Sequence, residues 1–324
     1  MNRVYITSES FGEASKEPLL MLKDHHIDYL KNPTGRKQTT EELIKSCKDC
    51  SAIILGTNSF DKNVIKALPK LRMISRMGVG LSNIDMDYSK KMGIKISYTP
   101  DGPSNAVAEL TLSLILDLLR SVTISDRRVR NGLWEKRMGK ELSEITIGII
   151  GLGRIGRLVI EKLLILGCKS ILVFDLNSSI STQLKEELDP DSHKIISKSL
   201  EDLLSSSDIV SLHLPFNENT NNMIGDQELS IMRNDSCIIN TSRGGIINEK
   251  DLYVALDNKK IYGAAIDTFN EEPYSGKLIN MDNCILTSHI GSLTSKARLN
   301  MELQCTSEVI RYFQDLPLQQ EVSV

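Results

Sequence analysis

The sequence predicts an α/β protein with two doubly wound parallel sheets, and three observations support this fold class. Short apolar runs of strand length alternate with helical patterns along much of the chain. A glycine-rich turn at 151–156 joins an apolar run to an amphipathic one. In the C-terminal half, each polar cluster follows an apolar run, which is where parallel sheets of this class bind ligands.

Composition limits the functions that need to be considered. The 324 residues include 39 basic and 42 acidic side chains, for a net charge of −3, without the basic tract that a nucleic-acid partner requires. No apolar run reaches the length of a membrane span, and the chain starts directly with a strand pattern at 3–7. We therefore expect two domains, no membrane partner and a cytoplasmic location.

The six cysteines give no metal site. Cys47 and Cys50 form the single C-x-x-C motif, with no second pair to complete a zinc site. The motif leads into a predicted strand instead of a helix, which argues against a thioredoxin-like redox role. All six are expected to be reduced, structural thiols.

Residues 1–100 have the pattern of a first α/β domain. Strands are expected at Val4–Thr7, Ile27–Leu30, Ala52–Leu55, Met73–Ser75 and Ile94–Ser97. Helices are expected near Pro18–Lys23, Thr40–Cys47, Asp61–Leu68 and Ile84–Met92. Its glycine-rich turn, Arg76-Met77-Gly78-Val79-Gly80, follows a strand and is a candidate ligand-binding loop.

A proline- and glycine-containing linker at 98–103 leads into one long predicted helix, from Ser104 to about Arg130. This helix is apolar over more than one face, which predicts burial between domains or between subunits. Trp134, the only tryptophan, follows in a polar loop, where it either marks an interface or covers the helix end.

The turn at 151–156 has the features of a dinucleotide-binding loop. Gly151 allows a sharp turn, Gly153 lets backbone approach a pyrophosphate, and Gly156 lets the helix pack closely on the strand. The next predicted strand ends at Asp175, where a carboxylate binds ribose hydroxyls and repels a 2′-phosphate. The pattern therefore predicts a Rossmann unit that binds NAD and not NADP.

Later strand ends supply three groups with catalytic chemistry. Arg243 suits bidentate binding of a carboxylate, and His289 can transfer a proton near neutral pH. Glu272, held by Pro273, is placed to pair with His289 and favour its imidazolium form. Each residue also has a structural interpretation: a surface arginine, a backbone-bonded histidine and a solvated acidic turn.

Seven motifs, in this order, make the chain resemble the D-isomer-specific 2-hydroxyacid dehydrogenases, and among them the short-form D-3-phosphoglycerate dehydrogenases. They are RMGVGLSNID (76–85), NAVAE (105–109), GLGRIG (151–156), HLP (213–215), NTSRGG (240–245), DTFNEEP (267–273) and HIGS (289–292). The resemblance implies a Rossmann NAD domain inserted in a flavodoxin-like substrate domain. The implied bounds are 1–100 plus 292–324 for the substrate domain and 101–291 for the NAD domain.

The resemblance also implies roles for individual residues. The catalytic set is Arg243, Glu272 and His289. The implied cofactor contacts are Gly151, Gly153, Arg154, Ile155, Gly156, Asp175, Leu214, Pro215, Thr241, Asp267 and Gly291, and the implied substrate contacts are Arg76, Val79, Gly80 and Arg243. An arm at about 101–145 is expected to form a homodimer or a higher homo-oligomer.

The expected activity is NAD-dependent interconversion of a D-2-hydroxy acid and its 2-oxo acid, with D-3-phosphoglycerate, a substrate of serine biosynthesis, as the first candidate. Gly56 stands where some phosphoglycerate-specific members carry a phosphate-binding arginine, although Arg76, Lys136 or Arg137 can supply positive charge. Glyoxylate or hydroxypyruvate reductases and D-lactate dehydrogenases are the alternatives. Formate dehydrogenase is disfavoured because Glu272 is not glutamine. An NAD-sensing, non-catalytic protein like the corepressors of this superfamily is the alternative of another class.

Overall fold

The computed structural model describes residues 2–191 and 193–322, and the chain forms two compact units. Unit 1 comprises Met1–Ser104 and Ser292–Val324, and unit 2 comprises Asn105–Gly291. The first junction therefore falls after Ser104 and not at position 100. Each unit is built on a parallel sheet with helices, which confirms the predicted fold class.

Unit 1 contains a five-stranded parallel sheet in the order β2-β1-β3-β4-β5. Its strands are β1 (Arg3–Ile6), β2 (Asp28–Lys31), β3 (Ala52–Leu55), β4 (Met73–Arg76) and β5 (Lys95–Tyr98). Its helices are α1 (Glu17–Asp24), α2 (Thr40–Cys47), α3 (Lys62–Lys66), α4 (Met86–Lys91) and, after unit 2, α12 (Ser295–Phe313). Alternate strand residues enter two separate cores, so that Val4 and Ile6 pack with α12 while Tyr5 packs with α2. The sheet is covered on both faces, as the continuous apolar strands predict.

Unit 2 contains a seven-stranded parallel sheet in the order β12-β11-β10-β9-β6-β7-β8. The strands are β6 (Thr146–Ile150), β7 (Ser170–Phe174), β8 (Ile195–Ser197), β9 (Ile209–Leu212), β10 (Cys237–Asn240), β11 (Gly263–Ile266) and β12 (Cys284–Leu286). The helices are α5 (Ser104–Arg120), α6 (Val122–Arg130), α7 (Arg154–Ile165), α8 (Ser178–Leu188), α9 (Leu200–Ser206), α10 (Asp226–Ile231) and α11 (Glu249–Asp257), with 3₁₀ turns at Leu142–Glu144 and Lys277–Asn280. The strand order reverses between β6 and β9. This topological switch point is where a doubly wound sheet binds its ligand.

The prediction of one helix from Ser104 to Arg130 was wrong, because the helix breaks at Ser121. Ser121 has left-handed backbone torsions (φ 52°, ψ 40°), which separate α5 from α6. The Asp117 carboxylate accepts a hydrogen bond from the Thr123 backbone N–H at 2.8 Å and a second from the Thr123 hydroxyl. These bonds satisfy a donor in the first turn of α6 that has no partner within the helix.

The structure supports the interpretation of the cysteines as inert thiols. All six are buried and none is in a disulfide. Burial raises the pKa of the Cys50 thiol to about 11 and that of the Cys305 thiol to about 12, which disfavours the reactive thiolate. Across residues 2–191 and 193–322, no cluster of three potential metal ligands is found, and no helix is long and apolar enough to cross a bilayer.

Candidate active site

The candidate site lies in unit 2 at the carboxyl ends of three neighbouring strands. β10, β11 and β12 are paired in parallel, with Asn240 opposite Ile266 and Ile266 opposite Leu286. The first residues beyond β11 and β12, Asp267 and Thr287, are therefore brought side by side. The Asp267 N–H donates to the Asn240 carbonyl at 2.9 Å, and the Thr287 N–H donates to the Ile266 carbonyl at 3.0 Å.

Asp267 anchors the turn that carries His289. Its carboxylate, 1% exposed, accepts hydrogen bonds from the Ile290 N–H (2.8 Å), the Gly291 N–H (3.0 Å) and the Thr287 hydroxyl (2.6 Å). His289 itself has a left-handed backbone (φ 54°), a conformation that costs a non-glycine residue about 1–2 kcal/mol. The bonds to Asp267 on either side of His289 hold this conformation in place.

Glu272 and His289 are in direct contact. The His289 Nδ1 atom lies 3.0 and 2.9 Å from the two carboxylate oxygens of Glu272, and both side chains are partly exposed. The Phe269 N–H donates to Glu272 Oε1 at 3.2 Å, so the carboxylate is held by this backbone group as well as by His289. With Nδ1 occupied by the carboxylate, the ring presents Nε2 to any other group.

Arg243 lies in a loop that packs closely on the Glu272 turn. A Cβ at Gly244 would lie 2.0 Å from the Phe269 carbonyl oxygen, so only glycine allows this approach. The Asn240 side chain holds the loop by donating to the Arg243 carbonyl (2.8 Å) and accepting from the Ser242 N–H (3.0 Å). Burial lowers the pKa of Arg243, while the negative charge of Glu272 opposes that shift, so the guanidinium stays protonated near Glu272.

The glycine loop fits a bound dinucleotide. Gly151 has φ +94°, and a Cβ there would meet the His213 carbonyl oxygen at 2.4 Å; a Cβ at Gly156 would meet the Gly151 carbonyl oxygen at 2.1 Å. Both glycines are thus required by the protein itself. Gly153 differs, because a Cβ there meets no atom within 4 Å and its φ of −71° suits any residue. Open space at Gly153, at the N-terminus of the 12-residue helix α7 with no side-chain cap, is what a pyrophosphate requires.

Other residues expected at the cofactor surround this loop. The Asp175 carboxylate accepts from the Leu152 N–H (2.9 Å) and the Asn177 N–H (3.0 Å), which ties the end of β7 to the glycine loop. Leu214 lies against the loop, with its Cδ2 3.0 Å from the position of a Gly151 Cβ. Arg154 is exposed and Ile155 half-buried in the first turn of α7; Pro215 is exposed after β9, and Thr241 is buried after β10.

His213 is a buried side chain next to the glycine loop. Its side chain is 9% exposed, its Nε2 lies 3.0 Å from Ser211 Oγ, and its backbone carbonyl abuts Gly151. Its position beneath the glycine loop makes it a packing residue.

The expected substrate residues Arg76, Val79 and Gly80 lie in unit 1 in the loop after β4. The Arg76 guanidinium donates to the Gly80 carbonyl at 3.1 Å and to the Met77 carbonyl. The Thr99 hydroxyl accepts from the Gly78 N–H at 2.7 Å. Arg76 therefore shapes its own loop, and Val79 lies on the exposed side of it.

The residues that hold the proposed catalytic side chains were not predicted from the sequence. Asp267 was expected to contact the cofactor, but its bonds to the His289 turn were not foreseen. Asn240 and Thr111 were not singled out at all. The available signal was a polar residue directly after each apolar strand, which indicates the edge of the sheet but not the partner of each side chain.

Comparisons with known proteins agree with this geometry. Residues 112–291 match the family model of the D-isomer specific 2-hydroxyacid dehydrogenase, NAD binding domain. The chain is 31% identical to a hydroxypyruvate reductase of Thermotoga maritima, over 95% of this chain and 97% of that protein. It is 34% identical to a D-3-phosphoglycerate dehydrogenase of Methanocaldococcus jannaschii over 80% of this chain, but it spans only 49% of that protein's length.

A solved structure with a similar fold agrees with these sequence comparisons. The D-lactate dehydrogenase from Aquifex aeolicus, complexed with NAD and lactic acid, aligns with a TM-score of 0.81 and 26% identity over 97% of this chain and 96% of that one. The matched family model describes an NAD-binding domain, and NAD is therefore the cofactor of unit 2.

Proposed function

The chain belongs to the D-isomer-specific 2-hydroxyacid dehydrogenase family, and we propose that it interconverts a D-2-hydroxy acid and its 2-oxo acid. The observation that carries the proposal is the contact between His289 Nδ1 and both carboxylate oxygens of Glu272, beside the partly buried Arg243. An acid–base pair next to a guanidinium is the set of groups that this reaction requires.

His289 is the proposed general acid and base. Glu272 fixes the ring through Nδ1, so that Nε2 is free to donate a proton to the carbonyl oxygen during reduction. In the oxidation direction the neutral ring accepts the hydroxyl proton at the same nitrogen. The left-handed turn held by Asp267 keeps the imidazole in place for both directions.

Arg243 is proposed to bind the substrate carboxylate and to stabilise the charge that develops on the C2 oxygen. Its position after β10 and its tight packing on the Glu272 turn support this role. The backbone at Val79 and Gly80 is proposed to hold the substrate carboxylate as well. Bound NAD, placed on the glycine loop and Asp175, supplies the hydride acceptor or donor.

Two substrate classes are proposed. D-3-phosphoglycerate is supported by the likeness to phosphoglycerate dehydrogenases, with Lys136 and Arg137 of the arm as exposed cations for its phosphate. Glyoxylate and hydroxypyruvate are supported by Gly56, which carries no charge, and by the bonds of Arg76 to its own loop, which leave it less able to bind a phosphate. D-lactate dehydrogenase activity shares the same catalytic groups.

A cytoplasmic homodimer or higher homo-oligomer formed through the arm at about 101–145 is also proposed. Several large apolar side chains on this arm are exposed: Leu116, Val122, Val129, Leu133, Trp134 and Met138. Exposed apolar residues clustered on one segment are typical of a subunit interface.

Steady-state kinetics test the proposed reaction. The panel is 3-phosphohydroxypyruvate, hydroxypyruvate, glyoxylate, pyruvate and 2-oxoglutarate, each with NADH and with NADPH. We expect turnover with NADH and a strong preference over NADPH, because the Asp175 carboxylate repels a 2′-phosphate. Equal use of NADPH would contradict the role of Asp175, and no turnover with any 2-oxo acid would favour an NAD-sensing protein.

A substitution at His289 tests the assigned mechanism. His289→Ala is expected to lower kcat at least about 100-fold, because general acid–base catalysis contributes a factor of this size, while the affinity for NADH is retained. His193→Ala, in a polar loop, is the matched control and keeps wild-type turnover. Near-normal turnover of His289→Ala would reject the assignment.

A further inference from the structure

Helix α5 supports both catalytic turns of unit 2. Its Val107 side chain lies against Gly291 of the His289 turn, with Cγ2 3.2 Å from the position of a Cβ at that glycine. One turn later, Thr111 Oγ1 lies 2.9 Å from Thr241 Oγ1, in the loop that carries Arg243. Both threonines are buried, at 0% and 4% exposure.

The protons of these two hydroxyl groups have one arrangement that satisfies both. Thr111 Oγ1 lies 2.9 Å from the Val107 carbonyl oxygen, which can only accept. The acceptor found for the Thr241 hydroxyl among the described residues is Thr111 Oγ1. Thr241 therefore donates to Thr111, and Thr111 donates to Val107. In this arrangement Thr241 Oγ1 has used its only proton and can only accept from a further group.

The loop after β10 lies on the nicotinamide side of the sheet. Asp175, the proposed adenosine-ribose residue, follows β7, and the strand order reverses between β6 and β9. A dinucleotide that crosses this switch point has its second half over the ends of β9, β10 and β11. Of the groups at that end of NAD, the carboxamide is the one with N–H donors.

We propose that Thr111 is a positioning residue of the cofactor site, which commits Thr241 Oγ1 to accept a hydrogen bond from the carboxamide N–H of NAD. The proposal rests on the proposed function, in which Thr241 contacts the cofactor. Without the Thr111 hydroxyl, the Thr241 proton has no acceptor among the described residues and turns toward the carboxamide, where it meets an N–H donor. The protein then loses a favourable hydrogen bond to the nicotinamide carboxamide, the group that carboxamide-free analogues of NAD lack.

Binding of two cofactors to the purified full chain tests this proposal without catalysis. The probes are NADH and the reduced 3-acetylpyridine analogue, which has a methyl ketone in place of the carboxamide and so lacks its N–H groups. Dissociation constants are measured by calorimetry for the wild type, Thr111→Val, Thr111→Ser and Thr241→Val, with a thermal melt for each. Thr111→Val keeps the shape of the side chain and removes only the hydroxyl.

We expect the wild type to prefer NADH over the analogue, and Thr111→Val to lose NADH affinity by about three- to tenfold with a much smaller change for the analogue. Thr111→Ser, which keeps the hydroxyl, is expected to restore the wild-type preference. Thr241→Val and a double variant that combines Thr111→Val with Thr241→Val should match Thr111→Val, because both residues act through one hydrogen bond. If Thr111→Val does not fold, Thr111→Ala has the same expected preference.

An unchanged preference in folded Thr111→Val, or an equal loss for both cofactors, would overturn the proposal and leave the proposed function intact. Additive effects of the Thr111 and Thr241 variants would also overturn it. A wild-type chain that binds no NADH would instead reject the proposed function itself.

Discussion

Gly153 and Gly156 belong to one loop, yet the structure gives them different reasons to be glycine. A Cβ at Gly156 would collide with backbone, whereas a Cβ at Gly153 would enter open space. The fold therefore requires Gly156, whereas Gly153 is explained by the pyrophosphate that we propose to bind there. The sequence motif already predicted this difference between the two glycines, because each glycine of the motif has its own contact.

Alanine substitutions at these two glycines separate binding from stability. Gly153→Ala is expected to change the free energy of unfolding by about 1 kcal/mol or less, the range for a helix N-cap residue, while NADH binding weakens at least about tenfold because the methyl group occupies the pyrophosphate position. Gly156→Ala is expected to lower the melting temperature clearly. NADH titration and thermal melts measure both effects, and wild-type NADH affinity in Gly153→Ala would contradict the assignment.

The strand-end positions of the proposed catalytic residues were predictable, but their supports were not. Arg243, Glu272 and His289 each follow an apolar strand, and parallel strands bring their carboxyl ends to one edge. The anchoring of His289 by Asp267 depends on the pairing of β11 with β12, a long-range contact that no local pattern encodes. The same holds for Thr111 and Thr241, which are 130 residues apart in the chain.

At the scale of single elements, the strands agreed with the sequence pattern better than the helices. β3 has the expected bounds, because its apolar run is bounded by Ser51 and Gly56. The segment between β7 and β9 contains α8, β8 and α9, which the pattern did not mark, since β8 has three residues and a largely exposed edge. The break at Ser121 was missed because the apolar spacing of α5 continues into α6.

The Asp117 cap is expected to stabilise the start of α6. Asp117→Ala removes the acceptor for the Thr123 N–H and hydroxyl, and we expect the free energy of unfolding to fall by about 1–2 kcal/mol. Asp126→Ala, which breaks the exposed pair with Arg130, is the matched control and should cost less than about 0.5 kcal/mol. Urea denaturation compares the two variants. An equal loss of unfolding free energy in the two variants would show that the break at Ser121 does not depend on Asp117.

For the whole molecule, a buried histidine links stability to pH. Burial lowers the pKa of His213 to about 3 from an ordinary value of 6.5. Below pH 6.5 the unfolded chain takes up a proton that the folded chain does not, so stability is fully present above pH 6.5 and is lost as pH falls toward 3. At pH 5 this loss is about 2 kcal/mol.

Substitution of His213 isolates this contribution from those of other groups. Burial also raises the pKa of Glu302 and Glu308, which act in the opposite direction, favouring the fold at low pH. We therefore compare wild type with His213→Gln at pH 7 and pH 5 by urea denaturation. The variant is expected to lose less stability on acidification, and an identical loss in both proteins would show that His213 is not buried in its neutral form.

The two-unit architecture was predictable because the glycine loop begins near residue 151 and a late helix follows the last strand. The sequence pattern at each strand end then identified the chemistry, but the substrate depends on side-chain positions that no pattern specifies. Gly56 is visible in the sequence, whereas the hydrogen bonds of Arg76 to its own loop are visible only in the structure.

We propose that this chain catalyses hydride transfer from NADH to one face of a 2-oxo acid, which gives the D-2-hydroxy acid. The most direct measurement is chiral chromatography of the product formed from the best 2-oxo acid of the panel with NADH. We predict the D-enantiomer alone, formed in amounts equal to the NADH consumed. An L-product, a racemic product, or NADH consumption without a hydroxy acid would contradict the account.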